Sequence, residues 1–292
     1  MNQTVYSRIL PIILIMACLS PLEAKLLKPS MNGKEKEILI VNSKRRLYYP
    51  IQSNGLHYSV QGPTRLEFIS RYPVIRRKKD SHPYYYKIVI DGQDTVHVKH
   101  RYKVQKSIRS VQHPKHRYTH SGNYFINLDK GSHTIELVAG MDLKYPVLIR
   151  VVSKEFESVG KNKEILKPMV HQNSVKLVTD KKKVSYYECT YSIPLQVRAN
   201  GQKTLRILSR LEFSDSMGQE ESYRIRVREG KKVIGTYYFN TDRSSASQIE
   251  GRPDKVPGKW RSCEISVPKG KHTYSIEVAD RDKAVLTRFI LY

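Results

Sequence analysis

Along most of the chain, apolar and polar residues alternate with a period of two. Arg224-Ile225-Arg226-Val227-Arg228 is the clearest case. Strict alternation of charge and aliphatic predicts a strand with one buried and one wet face. Tyr86-Lys87-Ile88-Val89-Ile90 reads the same way and ends in Asp91-Gly92, a turn signal, as the first run ends in Glu229-Gly230. Leu66, Phe68 and Ser70 alternate with Glu67 and Ile69. Lys130-Gly131 lies between two alternating runs, Tyr124 to Leu128 and Thr134 to Val138, which predicts a hairpin tip. Val147 to Val152 and Val285 to Ile290 are further apolar runs, and no long segment carries a helical period. Many short strands separated by turn signals predict an all-β chain built as β-sandwiches.

The pattern repeats at a spacing of 139 residues. Leu27-Lys28-Pro29 returns as Leu166-Lys167-Pro168, Gly62 and Ser70-Arg71 as Gly201 and Ser209-Arg210, and Lys130-Gly131-Ser132-His133-Thr134 as Lys269-Gly270-Lys271-His272-Thr273. A register held over that distance predicts two tandem copies of one fold. Unit one is expected over residues 25–155 and unit two over 165–292, with a polar linker over 156–164. The matched positions are strands and turns. The middle matches least, residues 76–120 in unit one and 214–261 in unit two, and functional differences are expected there, because loops on a shared framework are where function diverges.

The first 24 residues read as a signal peptide: Arg8, an apolar run from Ile9 to Leu22, and small Ala24 before the expected cut. The run is shorter than the roughly 20 residues of a membrane span, and no other stretch is long enough. Cys18, preceded by Ala17, is an alternative lipid-anchor site. Cleavage leaves Cys189 and Cys263, both in unit two, in a compartment where a bridge can form. Two unpaired buried thiols are the other reading. The expected location is periplasmic or extracellular.

The two Lys-Gly-x-His-Thr segments, Lys130 to Thr134 and Lys269 to Thr273, with the alternating strands behind them, resemble the last hairpin of non-catalytic carbohydrate-binding jelly-roll modules. The resemblance implies a galactose-binding-like, jelly-roll-like sandwich and a glycan ligand. No aromatic on a loop identifies itself as a platform for a sugar, and no acidic calcium-site pattern opens either unit.

Charge narrows the ligand. The chain carries a net charge of +25, with 24 Lys/Arg against 10 Asp/Glu over residues 26–155 and 26 against 16 over 156–292. Both units are basic, which favours polyanions. For an exported chain these are lipopolysaccharide phosphates, acidic glycans, anionic headgroups or extracellular DNA, and export argues against a genomic partner. The densest stretch, residues 76–120, holds 12 Lys/Arg and six of the ten His. The expected binding residues are Arg76, Arg77, Lys78, Lys79, Lys99, Arg101, Lys103 and Arg117, joined by Arg71 and Arg210 at the ends of apolar strands, where a guanidinium can hold a carboxylate or phosphate. Pairing of those two arginines with Glu67 and Glu212 is the structural alternative.

Catalysis has little to stand on. His113, His116 and His120 are spaced to gather imidazoles round a metal, but Lys115 and Arg117 between them oppose a dication, so no metal or cofactor is expected. His133 and His272 are expected to bond to their turns. Gly251 to Lys259 has the wrong spacing for a phosphate loop, with Trp260 where Ser or Thr belongs. There is no Gly-x-Ser-x-Gly and no His-Glu-x-x-His. Two readings follow: a non-enzymatic envelope protein whose paired sandwiches engage an anionic or glycan polymer, or an assembly subunit of an envelope complex.

Overall fold

Alternation becomes strand throughout, and no described residue is helical. The structure, a computed structural model, describes residues 24–75, 81–154, 162–179 and 182–292. All of the expected leader but Ala24, the lipid-anchor candidate Cys18, and the basic run Arg76, Arg77, Lys78 and Lys79 lie outside the described residues. The expected linker lies mostly outside them too, and its last residue, Glu164, already pairs with Leu291.

Each unit is a sandwich made by long strands that change sheets. In unit one, Leu56–Arg71 and Gly122–Ala139 run antiparallel along their length. One half of the pair extends through His82–Ile90 to Asp94–Tyr102. The other half is flanked by Leu148–Lys154, which also pairs with Lys44–Pro50. Tyr58, Phe68, Tyr86, Ile126, Leu137 and Val151 close the space between the sheets. A large apolar side chain so buried contributes roughly 1.5–3 kcal/mol.

Unit two repeats this plan with its long strands broken in two. Leu195–Asn200 and Lys203–Phe213 take the place of Leu56–Arg71, and Arg261–Val267 and Lys271–Val278 that of Gly122–Ala139. Tyr84 faces His100, and their counterparts Tyr223 and Phe239 face each other 139 positions on.

The Lys-Gly-x-His-Thr segments are not hairpin tips. The runs on either side of Gly131 do not pair with each other; both pair with Leu56–Arg71, and the register shifts between Leu128 and Gly131. The segment is the bend at which a strand passes from one sheet to the other. A glycine at a bend and a glycine at a tip look alike in a sequence. The partner strand bends at Gly62, where an added Cβ would stand 1.8 Å from the Asp129 carbonyl oxygen; at Gly201 it would stand 1.4 Å from that of Pro268. Only glycine fits this crossing, which explains both repeated glycines. By contrast Asp91-Gly92 is the tight hairpin that the sequence predicts, with positive φ at both residues (53° and 69°).

The two units share one sheet. Tyr124, Phe125 and Ile126 of unit one pair in parallel with Thr236, Tyr237 and Tyr238 of unit two, joining 13 strands. Phe125 stacks on Tyr237 with ring centroids 4.4 Å apart and belongs to unit two's core. Gly235 leaves room for it, since a Cβ there would lie 2.4 Å from the Phe125 ring. Arg65 of unit one lies 3.7 Å from Glu264 of unit two.

Candidate functional site

A cleft of about 680 Å³ opens along this seam. Unit one supplies Asn127 and Asp129, which follow the seam residues on the same strand, Gly122–Ala139, and unit two supplies the rest. The loop between Val256–Pro257 and Arg261–Val267 forms one wall. Its backbone is pinned by Gly258 N–H to Leu211 O (2.7 Å) and Lys259 N–H to Asp242 O (2.8 Å). Pinning leaves the next side chain, Trp260, outside the core at 57% exposure. It is the chain's one tryptophan, and it lines the cleft. A large aromatic held out in water on a rigid loop is a contact surface rather than a core residue.

Cations line the same cleft. The Lys259 ammonium meets Asp242 at 2.6 Å, with both groups exposed. Arg261 Nε donates to Asn240 O at 2.6 Å, while Nη2 lies 3.9 Å from Asp129. Arg206 Nε donates to Glu264 Oε1 at 2.9 Å, and its guanidinium lies over the Tyr292 ring. Arg210 is 8% exposed; its Nη1 donates to Gly258 O at 2.9 Å, and its buried Nε has no hydrogen-bond partner among the described residues. The described lining includes no His or Cys, and its one carboxylate is Asp129. An aromatic face, several cationic donors and small hydroxyl side chains suit recognition of a ring with polar edges.

Of the described basic residues expected from the sequence, Arg210 alone lines this cleft. Lys99 and Arg101 point the same way, into solvent, from Asp94–Tyr102. Lys103 follows them, and Arg117 is half-buried on Arg117–Thr119. Lys99 lines a second cavity of about 400 Å³ with His97, His100, Arg224 and Arg226. Both arginines there are engaged, Arg224 by Asp280 and Arg226 by Glu277. Burial, helped by the Arg226 charge, pushes the His100 imidazole down to about 4.

Arg71 is 4% exposed and turned inward, donating to Tyr48 OH (3.3 Å), Gln105 Oε1 (2.9 Å) and Thr119 O (2.7 Å). Neither repeated arginine pairs with the glutamate beside it: Glu67 binds Lys154 and Glu212 binds Arg252.

The histidines serve the framework. His113 Nδ1 meets Glu37 at 2.9 Å and its ring stacks on His116, while the His120 N–H donates to Lys103 O. Burial raises the Glu37 carboxyl, but bonds from Ser110, His113 and Tyr118 outweigh it and hold the group below its usual range. Among the described residues no group of three or more His, Cys, Asp or Glu can hold a metal ion. Cys189 and Cys263 are free, buried thiols, and burial pushes Cys189 up to about 12.

Trp260, Asn127 and Asp129 escaped the sequence reading. Trp260 carried a signal, a lone tryptophan between Lys259 and Arg261 in a stretch with Pro253, Pro257 and Gly258. The two unit-one residues carried none, because only the parallel seam brings them to the cleft.

No family model and no curated protein matches this chain. Among solved structures it weakly resembles the tandem CBM51 carbohydrate-binding modules of a family 98 glycoside hydrolase from Streptococcus pneumoniae, with 12% identity, 92% of this chain and 93% of that one covered, and a TM-score of 0.23. It is similar at the same level to the tandem CBM22 domain of a Paenibacillus barcinonensis protein, with 11% identity, coverage of 93% and 99%, and a TM-score of 0.24. A triple jelly-roll protein of an archaeal virus matches at 8% identity and a TM-score of 0.27, covering 86% of this chain and 60% of that one. The architecture is therefore taken from the chain's own strands and ladders.

Proposed function

We propose that this chain is an exported, non-enzymatic binding protein of the cell envelope that takes acidic glycans in the seam cleft. Its two sandwiches, residues 25–155 and 165–292, form the scaffold, and the leader ahead of them directs export. The observation that carries this reading is Trp260, an exposed ring that lines a cleft of about 680 Å³ together with Arg206, Arg210, Lys259 and Arg261. The apolar face of a sugar ring packs on indole, while its hydroxyls need donors such as Arg261 and Asn127 and its acid groups a cation. The volume falls within the usual range for small-ligand sites, roughly 300–1,000 Å³.

Titration with galacturonic-acid oligosaccharides, followed by the fluorescence of the sole tryptophan and by calorimetry, tests the proposal. Wild type is expected to bind, and Trp260→Ala to bind about tenfold more weakly by calorimetry, the ~1.4 kcal/mol expected of one stacked ring. Equal binding by Trp260→Ala and wild type, or no binding of any glycan at low salt, refutes it.

A further inference from the structure

Arg71 and Arg210 occupy one position in the repeat, yet their side-chain partners differ. The backbones match closely. Thr119 N–H donates to Tyr72 O, as Gly258 N–H donates to Leu211 O, and His120 N–H donates to Lys103 O, as Lys259 N–H donates to Asp242 O. Each pair is related by 139 residues, so the register holds through the stretch in which the sequences match least. The carbonyl that receives the arginine is conserved as well: Thr119 O for Arg71, Gly258 O for Arg210.

The side-chain partners are not. Gln105, which caps Arg71, has Ser244 as its counterpart, too short to reach as an amide does. Tyr48, which accepts from Arg71 Nε, has Tyr186 in its place: Arg71 pairs with Leu148 and Leu148 with Pro50, as Arg210 pairs with Leu286 and Leu286 with Glu188, but among the described residues Arg210 Nε finds no acceptor. In unit one the guanidinium is therefore sealed by its own unit. In unit two Arg210 lines the cleft beside Ser244, with its buried Nε unpartnered. A guanidinium fork in that setting suits a planar or tetrahedral oxyanion, and burial strengthens the bond.

We infer that Arg210 is the acid-recognising residue of the cleft, holding a carboxylate or sulfate borne by the glycan, and that Gln105 closes the equivalent position in unit one. The inference rests on the glycan reading of the cleft and specifies its chemistry. Neutral sugars bind through Trp260 and the cleft's other donors, and acidic sugars engage Arg210 as well.

The test follows Trp260 fluorescence in the full chain at about 0.15 M salt, where diffuse attraction is screened beyond ~8 Å. The probes are a galacturonic-acid oligosaccharide, the neutral galactose oligosaccharide of the same length, and its sulfated form. Wild type is expected to prefer an acidic form roughly 10- to 100-fold, the range for a hydrogen bond to a charged group. A tighter carboxylate or a tighter sulfate form identifies the natural acid, and either supports the inference. Arg210→Gln and Ser244→Gln are expected to remove the acid-over-neutral preference; Ser244→Ala, which cannot cap a guanidinium, is expected to keep it. Ser244→Gln leaves Arg210 in place, so the test survives if Arg210→Gln fails to fold. Retention of the wild-type preference by Ser244→Gln, or equal wild-type affinity for all three probes, overturns the inference and leaves the cleft reading standing. No response to any probe sinks the cleft reading itself.

Discussion

His133 and His272 show what one side chain contributes to this fold. His133 Nδ1 meets Asp91 at 2.8 Å and its Nε2 meets the Asp129 carbonyl at 3.1 Å. His272 repeats both bonds, with Glu229 at 2.6 Å and the Lys269 carbonyl at 3.3 Å. Two acceptors per ring call for two donors, so the folded protein favours the imidazolium. The bond to Asp91 raises His133 above its ordinary value against a smaller opposing effect of burial, and the bond to Glu229 raises His272. The folded-state pKa exceeds the unfolded one in both cases. Their stabilisation is therefore complete below about pH 6.5 and lost as pH rises through the raised values. The melting-temperature gap between wild type and His133→Gln/His272→Gln should be widest at acidic pH and should narrow toward alkaline pH. A gap that does not vary with pH would show that the rings act only by packing. His100 works in the opposite sense: held neutral down to about 4, it costs stability as pH falls below its unfolded value, but equally in both proteins.

Among elements, the parallel seam has the greatest consequence. Phe125 leaves the core of its own unit to fill that of its neighbour, so unfolding either unit exposes the ring. Phe125→Ala should cost roughly 3–5 kcal/mol and should split one calorimetric unfolding transition into two. A variant that still melts in a single transition would show that the backbone ladder and the Arg65–Glu264 pair suffice to couple the units. The strands themselves were legible: Arg224 to Arg228 alternates in the sequence and in its burial. The seam was not, because a strand that pairs across units has the same alternation as one that pairs within its own. The sheet-changing bend at Gly131 was misread for a related reason, since the sequence marks a change of direction but not which strand lies alongside.

At the scale of the whole molecule, the net charge of +25 and the cleft make separable contributions. Charges spread over both units attract any polyanion and are screened by salt, whereas Trp260 and the buried Arg210 act at contact. Retention on an acidic polysaccharide column should collapse between about 0.05 and 0.5 M salt, while the acid-over-neutral preference read by Trp260 should change by less than about threefold. A preference that vanishes along with retention would assign all recognition to diffuse charge. Much of this site was hidden from the sequence. Arg210 was visible only as the twin of Arg71, and what separates the twins is a glutamine where the other unit has a serine 139 positions on, and a tyrosine, Tyr48, that accepts from Arg71 Nε while Arg210 Nε beside its counterpart Tyr186 finds no acceptor among the described residues. Pairwise identity records the first as one mismatch among many and does not record the second at all. Duplication would ordinarily suggest a bivalent molecule. With one arginine sealed, the proposed site occurs once per chain, so copies of the chain are expected to decorate a polymer without cross-linking it, with binding saturating at one acidic group per chain.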